Sequence, residues 1–475
     1  MGEPVRPDGP VLVIGTGASG RAAVAALVAA GVEVRVTDEA GVPDPDALPG
    51  ATVLDWADPS ALLEGVRLVV PSPGVPEHAP MLLAAAAAGV PVWSEPELGL
   101  RLHPRRLLAV TGTNGKTSTT ELLTAMLVEG DVDAHACGNI GRTVTETAAG
   151  SDPAATLVAE LSSFQLRFCS TVRPEVGVLL NVADDHLDWH RDRTAYADAK
   201  ARIWRAQAAT DWAVVPVDDP DLVARASAAP GRLATFSGGH RAGGAPGVGV
   251  VDGRLVASGT PDDGPVVDVA DLASDAPHVL ANTAAAATAA LLAGVPRDAV
   301  GRAARTFRPG RHRLEVVHTA GGVTWVDDSK ATNPHAAAAA LASYPRIVWL
   351  AGGLAKGVDL SVLSDALGAV RHAVLFGASA GELAAVCDAG GVAHTTARSM
   401  EEAVAAAAAV ARAGDTVLLA PACASFDMFH DYADRGDRFA AAARTHGDGR
   451  DHDPAPGDQG ATTSSAGPDR TGANA

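Results

Sequence analysis

Short apolar runs alternate with alanine-rich stretches along most of this chain, a pattern that predicts parallel α/β sheets. Val11–Ile14, Val32–Thr37, Leu68–Val70 and Val90–Trp93 read as strands, with helices at Arg21–Ala30 and Met81–Ala88 between them. His103-Pro104-Arg105 closes this unit, and Leu107–Val110 opens a second. The second unit continues through strands Leu157–Glu160 and Val176–Asn181 and a helix from Thr194 to Ala208. Residues 237–265, rich in Gly, Pro and Asp between β-prone pieces, predict hairpins, and helices over 281–293 and 298–306 follow. Arg308-Pro309-Gly310 marks a further boundary by its turn chemistry. Beyond it, strands Val323–Asp327, Ile347–Ala351, Val374–Phe376 and Val417–Ala420 build a third unit. The expectation is three α/β domains: a Rossmann-like domain over 1–104, a central P-loop domain with a mostly parallel sheet over 105–309, and a second Rossmann-like domain over 310–446. The polar stretch 447–475 predicts a disordered tail.

The length of 475 residues suits about three domains. A net charge of -19 argues against a nucleic-acid or acidic-membrane partner, since both would repel it. Cys137, Cys169, Cys387 and Cys423 lack metal-type spacing and read as reduced thiols. The polar N-terminus lacks the features of a signal peptide, and no apolar run approaches the roughly 18 residues of a membrane span. A cytoplasmic protein is expected. Lysine is nearly absent: only Lys116, Lys200, Lys330 and Lys356 appear among 37 basic residues. Each lies in a loop or motif, where a compact charge or an amine of movable pKa does what a guanidinium cannot.

Val110-Thr-Gly-Thr-Asn-Gly-Lys116-Thr117 follows a strand and starts a helix. Its glycines let backbone N–H groups around Gly112, Thr113, Asn114, Gly115 and Ser118 face a polyphosphate. Lys116 would meet the phosphates, and the Thr117 hydroxyl would meet magnesium. Val110 stands where the usual first glycine would be. Glu160 ends a strand at the sheet edge where α/β proteins bind ligands, and could hold the same cation. The run from Asn181 through His186 to His190 gathers acids and imidazoles, and by itself is either a metal site or a solvated loop. Gly15-x-Gly17-x-x-Gly20, with Asp38 after the next strand, matches a dinucleotide fingerprint. That leaves an NAD-linked oxidoreductase open, although nothing downstream offers a hydride-transfer site.

The segment TGTNGKT resembles the phosphate loop of the Mur ligases and their relatives the folylpolyglutamate synthases, and the resemblance runs from about residue 10 to 445. It implies ATP-dependent amide-bond formation through an acyl phosphate, with Lys116, His186 and Lys200 as catalytic residues. Two magnesium ions are implied, one on Thr117 and Glu160, the other on His186 and a Lys200 carbamylated by carbon dioxide. The resemblance puts Asn282 at the adenine, and Arg313 and Asp328 at the ribose and γ-phosphate of ATP; the family's usual His-Asn pair is half kept, because Val279 follows His278. It assigns Ala18, Ser19, Ser72, Pro73, Gly74, Asn139 and His186 to a UDP-sugar, while Glu39 and Ala40 depart from the family beside the uracil. Lys330, Thr332, Lys356, Ser425 and Phe426 would hold the acceptor amino acid, whose two carboxylates need two anchors. The segments DSKATN and PACASFD imply D-glutamate as that acceptor and a UDP-linked muramoyl-alanine as the other substrate, in a monomer whose domains close on them. A folate-type ligase leaves the UDP-like loops unexplained. A non-enzymatic nucleotide-binding regulator leaves the metal cluster and third-domain motifs idle.

Overall fold

The computed structural model describes residues 3–42, 45–185, 189–240 and 244–448. In the first domain β1 (Val11–Ile14), β2 (Val34–Thr37), β3 (Ala51–Val53) and β4 (Leu68–Pro71) form a parallel sheet of order β3-β2-β1-β4. Helices α1 (Ala18–Ala29), α2 (Pro59–Leu62), α3 (Pro80–Ala87) and α4 (Glu95–Leu102) accompany it. The central sheet has the order β10-β9-β8-β5-β7-β6 and is parallel throughout. It comprises β5 (Arg106–Thr111), β6 (Ala134–Gly138), β7 (Thr156–Glu160), β8 (Val176–Leu179), β9 (Trp212–Pro216) and β10 (Arg232–Phe236). Its helices are α5 (Lys116–Glu129), α6 (Val144–Gly150), α7 (Ser163–Arg167), α8 (Arg193–Ala201), α9 (Pro220–Ser227), α10 (Pro277–Leu292) and α11 (Arg297–Thr306). Strands β11 (Gly247–Val251), β12 (Arg254–Ser258) and β13 (Gly264–Asp268) make a small antiparallel sheet where hairpins were expected.

The last sheet runs β14-β15-β19-β16-β17-β18, parallel except for the antiparallel β14 edge. Its strands are β14 (Glu315–Ala320), β15 (Val323–Asp327), β16 (Ile347–Gly352), β17 (Val370–Phe376), β18 (His394–Ala397) and β19 (Thr416–Leu419). Helices α12 (Pro334–Leu341), α13 (Ala380–Ala389), α14 (Met400–Val410) and α15 (Tyr432–Asp448) cover it.

Helices on both faces explain why the interior positions of the central strands are apolar, since each alternate side chain enters a different core. On β5, Leu108 and Val110 join one buried cluster while Leu107 and Ala109 join another. Val11 and Val13 part from Leu12 and Ile14 on β1 in the same way, as do Trp349 and Leu350 on β16.

Two local expectations fail. Val90–Trp93 is no strand: it makes a single bridge, Val69 to Val92, before the Ser94 amide turns away to the Phe168 carbonyl. The helix expected over Thr194–Ala208 stops at Ala201 and tightens into a 3₁₀ turn over Arg202–Trp204. There the Trp204 indole donates to the Gly177 carbonyl at 2.8 Å, and Arg202 donates to the Leu166 and Cys169 carbonyls. These tertiary bonds outweigh helix propensity. Among the described residues no helix is long and apolar enough to cross a membrane. The tail expected to be disordered lies, from residue 449, outside the described residues.

Candidate active site

The phosphate loop leaves β5 and ends at α5, whose first residue is Lys116. Gly115 has φ +83°, and a Cβ there would lie 2.3 Å from Asn282 Oδ1, so the turn demands glycine on two counts. Asn282, on α10, thus sits directly against the loop. Asn181, just past β8, braces it: its side-chain oxygen accepts from the amides of Thr113 at 3.1 Å and Asn114 at 2.9 Å, and its amide group donates to the Asn114 carbonyl at 3.1 Å.

Lys116 Nζ donates to the carbonyls of Gly112 at 2.9 Å and Thr113 at 2.8 Å. Lys200, on α8 and only 1% exposed, donates to the same Gly112 carbonyl at 2.7 Å and lies 4.4 Å from the Tyr196 ring centre. Burial, and then the neighbouring Lys116, drive the Lys200 pKa well below its ordinary value, which favours the neutral amine. Thr117 Oγ1 donates to Glu160 Oε2 at 2.7 Å, and Asn139 donates to Glu160 Oε1 at 2.9 Å. A hydroxyl and a buried carboxylate side by side at a phosphate loop form a hard-oxygen donor pair suited to magnesium. Asn139, which the resemblance assigns to the UDP-sugar, therefore also steadies this carboxylate. His186 lies outside the described residues.

In the first domain, Ala18 and Ser19 open α1, and Ser72 follows β4 beside Gly15. Among the described residues the buried Ser72 hydroxyl has no hydrogen-bond partner, which leaves it available at the glycine turn. Asp38 accepts from the Thr16 amide at 2.8 Å and the Thr16 hydroxyl at 2.9 Å. It therefore clamps the glycine turn after β1.

Three loops gather at the carboxyl ends of neighbouring strands β15, β19 and β16. They carry Lys330 and Thr332, Ser425 and Phe426, and Lys356 respectively. Backbone bonds stitch them together: the Ala422 amide to the Ala331 carbonyl at 3.0 Å, Gly352 to Pro421 at 3.0 Å, and Leu354 to Ala424 at 2.9 Å. Lys330 Nζ lies 3.8 Å from the Tyr432 ring centre. Burial lowers its pKa to about 8, and the Arg313 charge adds to that effect. Lys356 Nζ lies 5.2 Å from the ring centre of Phe426, which is 64% exposed. Asp328 accepts from the Leu314 amide at 3.3 Å, and burial pushes its carboxyl up to about 7 against the pull of Arg313.

The phosphate loop and the third domain meet. Asn333, which caps α12, donates to Asn114 Oδ1 at 3.0 Å and to Asp185 Oδ2 at 3.3 Å. Lys116, Glu160, Arg313 and Lys330 are close enough for their charges to act on one another. Asn181 and Asn333 were not singled out from the sequence. Asn181 ended a recognised strand and Asn333 ended the DSKATN segment, but neutral amides carry no charge pattern to mark them.

A P-loop domain flanked by two parallel-sheet domains, with its phosphate loop touching a lysine-bearing loop of the third, defines a three-domain nucleotide-dependent ligase architecture. The chain belongs to the Mur ligase family. Family models match residues 9–94 (Mur ligase MurD-like, N-terminal domain), 110–290 (Mur ligase middle domain) and 312–423 (Mur ligase, glutamate ligase domain). The UDP-N-acetylmuramoylalanine--D-glutamate ligase of Frankia casuarinae is 49% identical over 450 residues, covering 92% of this chain and 94% of that protein. The protein of the same name from Mycobacterium tuberculosis is 42% identical, covering 93% of this chain and 97% of its own length. Among solved structures, MurF ligase from Thermotoga maritima in complex with ADP shares the fold, with TM-score 0.59 and 18% identity, covering 94% of this chain and 96% of that one.

Proposed function

We propose that this chain joins D-glutamate to UDP-N-acetylmuramoyl-L-alanine at the expense of ATP, through an acyl phosphate, in peptidoglycan precursor synthesis. The observation that supports this reading is the contact between Asn114 of the phosphate loop and Asn333 of the third domain, which brings the loop bearing Lys330 and Thr332 against the phosphate loop. The names of the relatives in Frankia casuarinae and Mycobacterium tuberculosis specify the acceptor and the sugar nucleotide.

In this reading the α5 amino terminus, Lys116 and the loop amides hold the ATP phosphates. Asn282, Arg313 and Asp328 surround the rest of the nucleotide. Ala18, Ser19, Ser72, Pro73, Gly74, Asn139 and His186 receive the UDP-sugar. Thr117 and Glu160 hold one magnesium ion, and His186 with Lys200 holds a second. Bound magnesium neutralises phosphate charge and so eases the approach of two anions.

Lys200 suits a carbamate. A neutral buried amine can add to carbon dioxide and release a proton, and the resulting anion faces Lys116 as a partner instead of a competitor for the Gly112 carbonyl. The substrate carboxylate attacks the γ-phosphorus, ADP leaves, and an acyl phosphate forms. The D-glutamate amine then attacks the acyl carbon, loses a proton and expels phosphate. Lys330, Thr332, Lys356, Ser425 and Phe426 orient the amino acid, with the two lysines facing its two carboxylates.

The domain division at 104/105 and 309/310, a monomeric state and a cytoplasmic location complete the reading. All four cysteines are free and buried, as suits a reducing compartment. The deciding experiment is phosphate release against a panel of amino acids with UDP-N-acetylmuramoyl-L-alanine. Turnover is expected with D-glutamate, and turnover with L-glutamate alone would refute the assignment.

A further inference from the structure

Arg435 has no place in the reaction as set out, yet it is 0% exposed, and a buried cation is costly unless something holds it. Among the described residues no carboxylate lies within ion-pairing distance of it. All of its acceptors are neutral, and they sit on the loops after β15 and β19 and at the end of β16, where the third acceptor loop begins. Nε donates to the Ser329 hydroxyl at 2.9 Å, and one terminal nitrogen donates to the Ser329 carbonyl at 2.8 Å. The other terminal nitrogen donates to the Cys423 carbonyl at 3.0 Å and the Gly352 carbonyl at 3.3 Å.

The first turn of α15 surrounds this arrangement. Ser329 Oγ donates onward to the Tyr432 carbonyl at 2.7 Å, and the Tyr432 ring lies under Lys330. Gly436 completes it, because a Cβ there would stand 2.2 Å from His312 Nδ1 and 2.6 Å from Asp327 Oδ2. Those two atoms form a 2.7 Å hydrogen bond that fixes the end of β15. Only a planar fork of five N–H donors can serve three loops at once, and an ammonium lacks that reach and geometry.

We infer that Arg435 is the positioning residue of the amino-acid subsite: its guanidinium sets the spacing between the loops bearing Lys330, Lys356 and Ser425, and so fits the subsite to a dicarboxylate. This rests on the function proposed above. Because every partner of Arg435 among the described residues lies in the third domain, its loss acts most strongly on acceptor binding, and on the nucleotide only through the Asp328 and Asn333 ends of the same loop.

The test measures KM for D-glutamate, ATP and UDP-N-acetylmuramoyl-L-alanine in the full-length wild type and in Arg435→Met, Arg435→Lys and Ser329→Ala, with binding of a non-hydrolysable ATP analogue as the control. Misplacing a positioned group by about 1 Å can cost about a hundredfold in reaction, so Arg435→Met should raise the D-glutamate KM by roughly tenfold to a hundredfold and weaken ATP-analogue binding far less. Arg435→Lys should fall between Met and wild type. Ser329→Ala, which removes one acceptor and keeps the buried charge, should shift the same KM in the same direction and serves if Arg435→Met does not fold. Added guanidinium ion should recover part of the loss in Arg435→Met. An unchanged D-glutamate KM in Ser329→Ala and Arg435→Lys, or an equal rise in all three KM values, overturns the inference. A wild type with no D-glutamate-dependent turnover would instead refute the proposed function.

Discussion

Glu95 and Glu97, two residues apart on α4, are both buried, and their surroundings treat them in opposite ways. Glu97 accepts from the amides of Ser170, Thr171 and Val172, from the hydroxyls of Ser170 and Thr171, and from Arg101. Burial opposes its charge, but these donors outweigh burial and hold its pKa below the ordinary value. Glu95 has just Thr145, whose amide donates at 2.6 Å to one oxygen and whose hydroxyl also favours the charge, and among the described residues its other oxygen has no partner. Burial therefore pushes its pKa from 4.5 up to about 7.

A carboxyl whose folded pKa is raised holds its proton more tightly in the native state. Its contribution is most favourable below pH 4.5 and is lost as pH rises through about 7. At about 1.4 kcal/mol per pH unit, the full separation is worth about 3 kcal/mol, of which about 2 kcal/mol falls between pH 5.5 and pH 8. Glu95→Gln preserves the shape and the acceptor for Thr145 but cannot ionise. In urea unfolding of the nucleotide-free protein, the variant should gain about 2 kcal/mol on the wild type between those two pH values, while every other titrating group cancels in the comparison. A wild-type-to-variant difference that is the same at both pH values would show that Glu95 stays ionised or protonated throughout, and the reasoning from its unpartnered oxygen would fail.

Gly115→Ala should lower stability by about 2–4 kcal/mol, from left-handed strain plus overpacking against Asn282. Adding Asn282→Gly should recover the overpacking part only, and simple additivity in unfolding experiments would contradict the close approach. Glu160→Gln removes the charge from the Thr117–Glu160 pair, so magnesium titrations of turnover should need roughly tenfold or more additional metal; an unchanged titration would move the metal site elsewhere. Lys330 loses its proton near pH 8 in the free enzyme, so the D-glutamate KM should climb as pH rises through that value. A flat profile would remove Lys330 from the carboxylate anchors.

What the sequence made legible follows from burial. Strands flanked on both sides, such as β1, β5 and β16, are continuous apolar runs and stand out from their surroundings. Strands β3 and β18 lie at sheet edges, are short and carry polar or exposed residues, so no apolar run marks them. The phosphate loop is visible because its chemistry is local, held within a few consecutive residues. The asparagine brace, the Asn114–Asn333 contact and the Arg435 fork are invisible for the opposite reason. Each joins segments far apart in the chain, and in Arg435 the residue type is the commonest cation this protein uses. Lysine scarcity drew attention to Lys200 and Lys330, and both prove to be strongly perturbed by burial.

The side-by-side order of β15, β19 and β16 also bears on how such a protein can diversify. The segments bearing Lys330, Ser425 and Lys356 are all exits from one edge of a single sheet, whereas the apolar layers that keep that sheet standing lie between it and its helices. On the function proposed above, exchanging these exits while keeping the Asn333 contact with Asn114 would change which amino acid is admitted without disturbing the scaffold.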